Sequence, residues 1–117
     1  MKFLSIEAFV PSGSGYEKSR NFFVELGFKI RWEAPGYTGF ERDGCKFILQ
    51  EYDSPEFAQN LMLSVAIDNA RNFRDHVIEK KLSEKFGIRI SEVIQQSYGK
   101  EVNIIDIAGV CWHFVEG

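Results

Sequence analysis

The sequence is poor in cysteine and histidine, with two of each, and its basic residues form no cluster. Cys45 and Cys111 are too far apart for a zinc motif. The stretch Met1–Glu7 predicts a strand and not a signal peptide, so both thiols are expected to be reduced in a cytoplasmic protein. The formal net charge is −3, whereas a nucleic-acid surface needs a stripe of positive charge. No apolar run approaches the ~20 residues of a membrane span. Neither nucleic acid nor a membrane is therefore expected as a partner.

What the sequence has in quantity is aromatic residues, which make up 15% of its 117 positions and include 11 phenylalanines. A chain of this length supports one domain. Aromatic rings suit either a core or a ligand cleft, and composition does not separate the two uses. The candidates for a cleft, each of which could equally belong to the core or a subunit interface, are Trp32, Tyr37, Phe40, Tyr98 and Trp112.

The first half of the chain predicts a strand, a helix and three further strands. Ser14 and Glu17 have the spacing of a capping box and predict a helix start. The helix is expected to end at Gly27. Asp43-Gly44 is a strong signal for a two-residue hairpin. Residues 52–59 have the composition of a linker. The strands are expected at residues 2–10, 28–33, 37–42 and 45–51.

The second half repeats this order of elements. Asp68 and Asn69 are candidate caps of a helix over residues 70–81, and Arg71-Asn72-Phe73 repeats the Arg20-Asn21-Phe22 of the first helix. Strands are expected at residues 61–67, 88–97, 101–105 and 110–115. The sequence therefore predicts an α+β fold, a single domain of two βαβββ modules at about residues 1–53 and 59–117. The main alternative, a ferredoxin-like βαββαβ domain, has too few strands.

Three segments resemble the glyoxalase/bleomycin-resistance (vicinal oxygen chelate) superfamily, whose hallmark is a pair of βαβββ modules. Residues 16–28 resemble its first helix, ending in Leu26-Gly27-Phe28. Ile48-Leu49-Gln50-Glu51-Tyr52 resembles its fourth strand, and residues 105–114 resemble its final hairpin and strand. The resemblance implies curved sheets that enclose a cavity. It also implies a homodimer in which the first module of one chain pairs with the second module of the other.

Catalytic members of this superfamily bind a divalent metal through histidine and glutamate side chains on four strands. Carried over to this chain, the four positions fall on Ser5, Gln50, Met62 and His113. Glu7 could replace Ser5, because it points to the same side of the strand. Of the four, only His113 is a good ligand type, and a metal site needs about three strong ligands. No metal or other cofactor is therefore expected, and the weak candidates for a metal are His113, Glu7 and Glu51.

Two functions are left open. The first is a non-catalytic protein that binds a small, amphipathic or cationic molecule in a cleft, as bleomycin-resistance proteins do in antibiotic sequestration. The second is a metal-dependent lyase or dioxygenase with an unusual ligand set drawn from Glu7, Gln50, Glu51 and His113. Neither cysteine has an evident basic partner in the sequence, so a nucleophilic thiol has little support.

The residues expected to contact the ligand are Glu7, Trp32, Phe40, Gln50, Tyr98 and His113. Because strand residues alternate between faces, His113 should lie opposite Trp112 and Phe114. Glu7, Gln50 and His113 are expected to point into one concave, aromatic-lined space.

Overall fold

Two mixed sheets, one from each half of the chain, form the framework of the structure, a computed structural model that describes all 117 residues. Sheet 1 contains β1 (Phe9–Pro11), β2 (Lys29–Ala34), β3 (Tyr37–Arg42) and β4 (Cys45–Gln50) in the order β1-β4-β3-β2. Sheet 2 contains β5 (Met62–Ala66), β6 (Arg89–Ile90), β7 (Ile94–Gln96), β8 (Gly99–Ile105) and β9 (Cys111–Glu116). Its order is β5-β9-β8-β6, and β7 also pairs with β8.

Both sheets follow the same plan. The first strand of each half is an edge strand that runs parallel to the last strand of that half, and the other pairs are antiparallel. The helices are α1 (Tyr16–Leu26), α2 (Pro55–Asn60), α3 (Ala70–Glu79) and α4 (Leu82–Phe86). The predicted α+β fold with two βαβββ repeats is thus confirmed. None of the four helices has the length and apolar character needed to cross a lipid bilayer.

One hydrophobic core joins the two halves of the chain. The ring of Phe23 on α1 lies 4.9 Å from Phe47 of sheet 1 and 5.4 Å from Trp112 of sheet 2, measured between ring centroids. Phe22, beside it, meets Phe86 of α4 at 5.7 Å. Each sheet therefore buries one face in the shared core. The other face, here called the open face, carries the partly exposed side chains.

The predicted N-terminal strand over residues 2–10 is mostly absent, since only Phe9–Pro11 pairs. Register explains the difference: Phe9 lies opposite Ile48 in the parallel pair, so the residues before position 6 run past the start of β4 at Cys45. A strand needs a neighbour to receive its hydrogen bonds. Three apolar side chains in this segment are at least 90% exposed, namely Phe3, Leu4 and Ile6.

Two helix predictions also need correction. Helix α1 begins after Gly15 without a side-chain cap, so Ser14 and Glu17 do not form the predicted capping box. The predicted linker over residues 52–59 contains α2, whose cap Ser54 accepts a hydrogen bond from the Phe57 amide. Proline suits the first turn of a helix because its missing N–H would have no partner there. The sequence Ser54-Pro55 thus starts a helix where a linker was expected.

The second half differs from prediction in two further places. The helix from Ala70 ends at Glu79, and a separate α4 follows after Lys81, whose φ is 55°. The strand predicted over residues 88–97 is divided into β6 and β7. Between β6 and β7, the Ser91 hydroxyl accepts a hydrogen bond from the backbone N–H of Asn103. The left-handed conformation of Lys81 and the Ser91–Asn103 hydrogen bond thus mark the breaks in elements that the sequence pattern presents as continuous.

Three predicted turns and caps are confirmed. Gly27 ends α1 in the left-handed region with φ 110°. The hairpin between β3 and β4 has positive φ at both Asp43 and Gly44, as a two-residue hairpin turn of this type requires. The side-chain oxygen of Asn69 caps α3 by accepting a hydrogen bond from the backbone N–H of Asn72.

Candidate functional site

Aromatic side chains mark the open face of sheet 1. Trp32 is 39% exposed, and Phe9 and Tyr37 are also exposed, with their rings in an edge-to-face arrangement 6.1 Å apart. A Cβ added at Gly39 would lie 2.2 Å from Trp32 Nε1. The missing side chain of Gly39 therefore lets the indole lie close over β3. Together these rings form an apolar surface that a planar molecule could stack against.

A charge pair spans the same face. Arg31 on β2 donates a hydrogen bond to the Glu7 carboxylate, which also accepts one from the Ser5 hydroxyl at 3.0 Å. Partial burial acts to raise the pKa of Glu7, but the hydrogen bonds from Ser5 and Arg31 and the charges of Arg31 and Lys46 outweigh it, so the pKa lies below its ordinary value. Glu7 is thus ionised and already paired with a cation of the same chain.

The two other predicted ligand residues of sheet 1, Gln50 and Phe40, lie on opposite faces of the sheet. Gln50 is half-buried on the open face, opposite Tyr37 of β3. Phe40 is fully buried and lies 5.3 Å from Phe47 in the core. Since residues of a strand alternate between faces, Phe40 cannot share a face with Tyr37. The prediction that Phe40 faces the cleft is therefore wrong.

The open face of sheet 2 carries a hydrogen-bonded chain of polar side chains. Trp112 and Phe114 of β9 are buried in the core, so His113 points to the open face. Its Nδ1 lies 2.7 Å from Oε2 of Glu101, a residue of β8 that is only 3% exposed. Tyr98, which is exposed, donates its hydroxyl hydrogen to the other oxygen of Glu101.

These contacts fix the ionisation of Glu101. The hydrogen bonds from Tyr98 and His113 lower the pKa of the Glu101 carboxyl below its ordinary value, although burial opposes them. The same contact with Glu101 raises the pKa of Tyr98. Glu101 is therefore a carboxylate near neutral pH, and Tyr98 keeps its proton. An ionised Glu101 requires that His113 Nδ1 carry the proton of their shared hydrogen bond.

A thiol completes this cluster. The Sγ atom of Cys111 lies 3.4 Å from Nε2 of His113. Cys111 and His113 are two residues apart on β9, so their side chains share a face. Burial raises the pKa of the Cys111 thiol, and the negative charges of Glu101 and Asp106 raise it further. The expectation that neither cysteine has a basic partner is wrong for Cys111. The spacing Cys-x-His on a predicted strand was the signal for this pair.

A single chain does not gather all the predicted site residues. Glu7, Trp32 and Gln50 belong to sheet 1, whereas Tyr98 and His113 belong to sheet 2. A cavity of about 350 Å³ on sheet 2 is lined by seven residues, all from the second half of the chain: Ser64, Ala66, Tyr98, Glu101, His113, Val115 and Gly117. Within one chain, the expected common space for Glu7, Gln50 and His113 is therefore not formed.

A cavity of about 530 Å³ lies at the junction of the two halves, between the end of α1, the β3–β4 hairpin and α3. It contains none of the predicted site residues. Two of its polar groups are already bound to the main chain: Arg42 donates to the Leu26 carbonyl at 2.7 Å, and Lys80 to the Glu25 carbonyl at 2.6 Å. The Lys80 bond ties the second half to the first, and both bonds leave fewer polar groups for a ligand.

Comparison with solved structures identifies the fold. The bleomycin-binding protein of Streptomyces verticillus, complexed with copper(II)-bleomycin, matches with a TM-score of 0.78 at 17% identity, over 100% of this chain and 98% of that one. TnmS3, an antibiotic binding protein from Streptomyces sp. CB03234, matches with a TM-score of 0.75 at 20% identity, over 98% and 97%. The fosfomycin resistance protein FosX from Listeria monocytogenes matches with 0.77 at 10% identity, over 100% and 93%.

This chain has the glyoxalase/bleomycin-resistance fold. The predicted resemblance is thereby confirmed at the level of structure. No protein-family model matches the sequence, and no curated protein is significantly similar to it.

The four positions to which the sequence resemblance carries the metal ligands are divided between the two halves of this chain. Met62 and His113 lie on β5 and β9 of sheet 2, while Ser5 and Gln50 lie on the other half. Glu51 follows the end of β4. No group of three or more histidine, cysteine, aspartate or glutamate side chains is placed to hold a metal ion.

Proposed function

We propose that this chain is a binding protein for an amphipathic small molecule of the antibiotic type. The observation that carries the proposal is the aromatic open face of sheet 1, where the Trp32 indole lies close over Gly39 and the exposed rings of Phe9 and Tyr37 pack edge to face. Solvent-exposed rings grouped on one rigid sheet face favour ligand binding over core packing. Proteins of the same fold were solved with bleomycin bound.

The charges of this face favour an amphipathic ligand over a simple cation. Glu7 is already neutralised by Arg31 and lies near Lys46. A cationic ligand would therefore have to displace Arg31 from its carboxylate partner. A ligand with an aromatic plane and a polar or zwitterionic rim can stack on Trp32 and hydrogen-bond to either charged group without leaving one unpaired.

We also propose that the binding unit is a homodimer, in which the open face of sheet 1 from one chain meets the open face of sheet 2 from the other. Two features of a single chain support it. The open faces of both sheets have no covering element of their own, and Phe3, Leu4 and Ile6 are almost fully exposed. Three exposed apolar side chains so close together in the sequence favour association with another protein surface. The dimer would bring Glu7, Trp32 and Gln50 together with Tyr98 and His113.

Tryptophan fluorescence offers a direct test, since the two tryptophans differ in environment. Trp32 is partly exposed on the open face, whereas Trp112 is buried in the core. Titration with metal-free bleomycin, and then with a panel of planar antibiotics, should quench the exposed tryptophan alone. Trp32→Ala should weaken binding by about tenfold, because lost stacking and contact area amount to roughly 1.4 kcal/mol. Trp32→Phe keeps a ring and should weaken binding less.

Two outcomes would argue against this proposal. Unchanged affinity in Trp32→Ala would place the ligand elsewhere, with the junction cavity between α1 and α3 as the next candidate. Stoichiometric divalent metal in the purified protein, together with a melting temperature that falls on chelation, would favour the lyase or dioxygenase alternative. Native mass spectrometry reports the subunit count, the metal and any retained ligand in one measurement.

A further inference from the structure

On the open face of sheet 2, a thiol, an imidazole and a carboxylate are linked by hydrogen bonds in the same order as the groups of a catalytic triad. We propose that Cys111, His113 and Glu101 act as nucleophile, base and orienting carboxylate, and that they add the Cys111 thiol to soft electrophiles such as compounds with an activated carbon–carbon double bond. The inference goes beyond reversible ligand binding. It does not rest on the proposed function, because the three side chains lie on sheet 2 of a single chain.

The contacts define a role for each group. Glu101 accepts a hydrogen bond from Nδ1 of His113 at 2.7 Å, and Nε2 of the same ring faces Cys111 Sγ at 3.4 Å. Since Nδ1 carries the proton in the neutral ring, Nε2 presents a lone pair to the thiol. This arrangement of nucleophile, imidazole and carboxylate is what a general base requires.

The three side chains are held by a rigid support. They project from the adjacent antiparallel strands β8 and β9, with Asn103 directly opposite His113 in the register. The residues between them on these strands are buried in the core, including Val102 and Trp112. The Tyr98 hydroxyl holds the second oxygen of Glu101. A packed support of this kind keeps catalytic groups in position.

An ordinary cysteine thiol is protonated near neutral pH, so the reaction needs the base, and His113 Nε2 lies 3.4 Å from the sulfur. As the sulfur approaches the electrophile, the thiol proton moves to His113 Nε2 and the imidazolium is stabilised by Glu101. A bond forms between sulfur and the β-carbon of the alkene, and the π electrons move to the α-carbon. The α-carbon then takes the proton back from Nε2, and no other reactant is needed.

The site also has room for a small electrophile. The cavity of about 350 Å³ on sheet 2 is lined by His113, Glu101, Tyr98 and Ser64. Cys111 is not one of the lining residues, but it contacts the lining residue His113 and is partly exposed. A compound bound against His113 would therefore lie next to both the base and the thiol that contacts it.

N-ethylmaleimide is a suitable probe, because its activated double bond reacts with thiols by this step. The rate of labelling at each cysteine is measured by mass spectrometry of digested peptides. Cys45 is exposed and serves as the control thiol within the same molecule. We expect His113→Gln and Glu101→Gln each to slow labelling of Cys111 at least tenfold, a threshold set below the ~10²–10⁴-fold range of general-base catalysis. The rate at Cys45 should not change.

The controls separate a chemical effect from loss of structure. His76→Gln changes the other histidine, which lies on α3 and is not one of the three groups, and it should leave the Cys111 rate within about twofold of the parent. Failure of the proposed ligand site and failure of the triad can be told apart, because antibiotic binding and labelling of Cys111 are measured separately. If His113→Gln and Glu101→Gln keep their melting temperatures and label Cys111 at the parent rate, the triad is refuted. Cys111 that does not react in the folded parent protein would refute it equally.

Discussion

Asp106 is the residue on which the hairpin between β8 and β9 depends most. Its Oδ1 accepts hydrogen bonds from three backbone amides, those of Ala108, Gly109 and Val110, at 3.0 to 3.1 Å. Its Oδ2 accepts one from the indole nitrogen of Trp112 at 2.9 Å. Burial raises the pKa of Asp106, and these four hydrogen bonds oppose the rise. The loop they hold leads directly into β9, which carries Cys111 and His113.

Replacing Asp106 with alanine should strongly destabilise the fold. Val110 and Trp112 are buried, so their N–H groups cannot turn to water, and each unsatisfied donor costs about 1–3 kcal/mol. We expect Asp106→Ala to lower the free energy of unfolding by about 2–6 kcal/mol. For a domain of this size that corresponds to a fall of roughly 8–24 °C in melting temperature. Urea unfolding followed by circular dichroism measures the change.

Asparagine at position 106 tests the reasoning more finely. Its amide oxygen can still accept from the three backbone amides, but its NH₂ group would face the indole N–H of Trp112, donor against donor. Asp106→Asn should therefore cost only about 1–3 kcal/mol. Trp112→Phe removes the opposing donor, so the double variant should be more stable than the sum of the single changes predicts, by ~1 kcal/mol or more. Strict additivity, or an Asp106→Ala variant as stable as the parent, would refute the assignment.

Two further predictions concern the backbone and the assembly. Gly27→Val should destabilise by ~1 kcal/mol or more, because φ is 110° there and the new Cβ would lie 2.7 Å from Arg42 Nη1; an unchanged melting temperature would contradict this. Sedimentation at micromolar concentration should give twice the chain mass, and removal of residues 1–6 should weaken association. A full-length chain that sediments as a monomer would show that the open faces are not joined between chains.

The order of elements could be predicted because its signals are local. Gly27 and Asp43-Gly44 require backbone conformations that few other residues adopt, and the structure has them at those positions. The short helices α2 and α4 were missed because their stability comes from tertiary packing, of Ala58 in α2 and of Leu82 in α4. A five- or six-residue helix has too few turns for a periodic signal.

For the site, the sequence determined which side chains share a face of a strand, because strand residues alternate with a period of two. That period places Cys111 with His113, and it separates Tyr37 from Phe40. It does not determine which face is open. The packing of Phe23 on α1 decided that, and it placed Phe40 in the core.

Contacts between strands were also beyond the sequence. Glu101 meets His113 across β8 and β9, and Arg31 meets Glu7 across sheet 1. Both pairs depend on strand register and on how the fold places segments that are distant in the sequence next to one another. The alternation of side chains along each strand therefore determined which residues could share a face. Only the tertiary structure decided which of them are partners, because hydrogen bonds and ion pairs form between side chains that the strand register brings together.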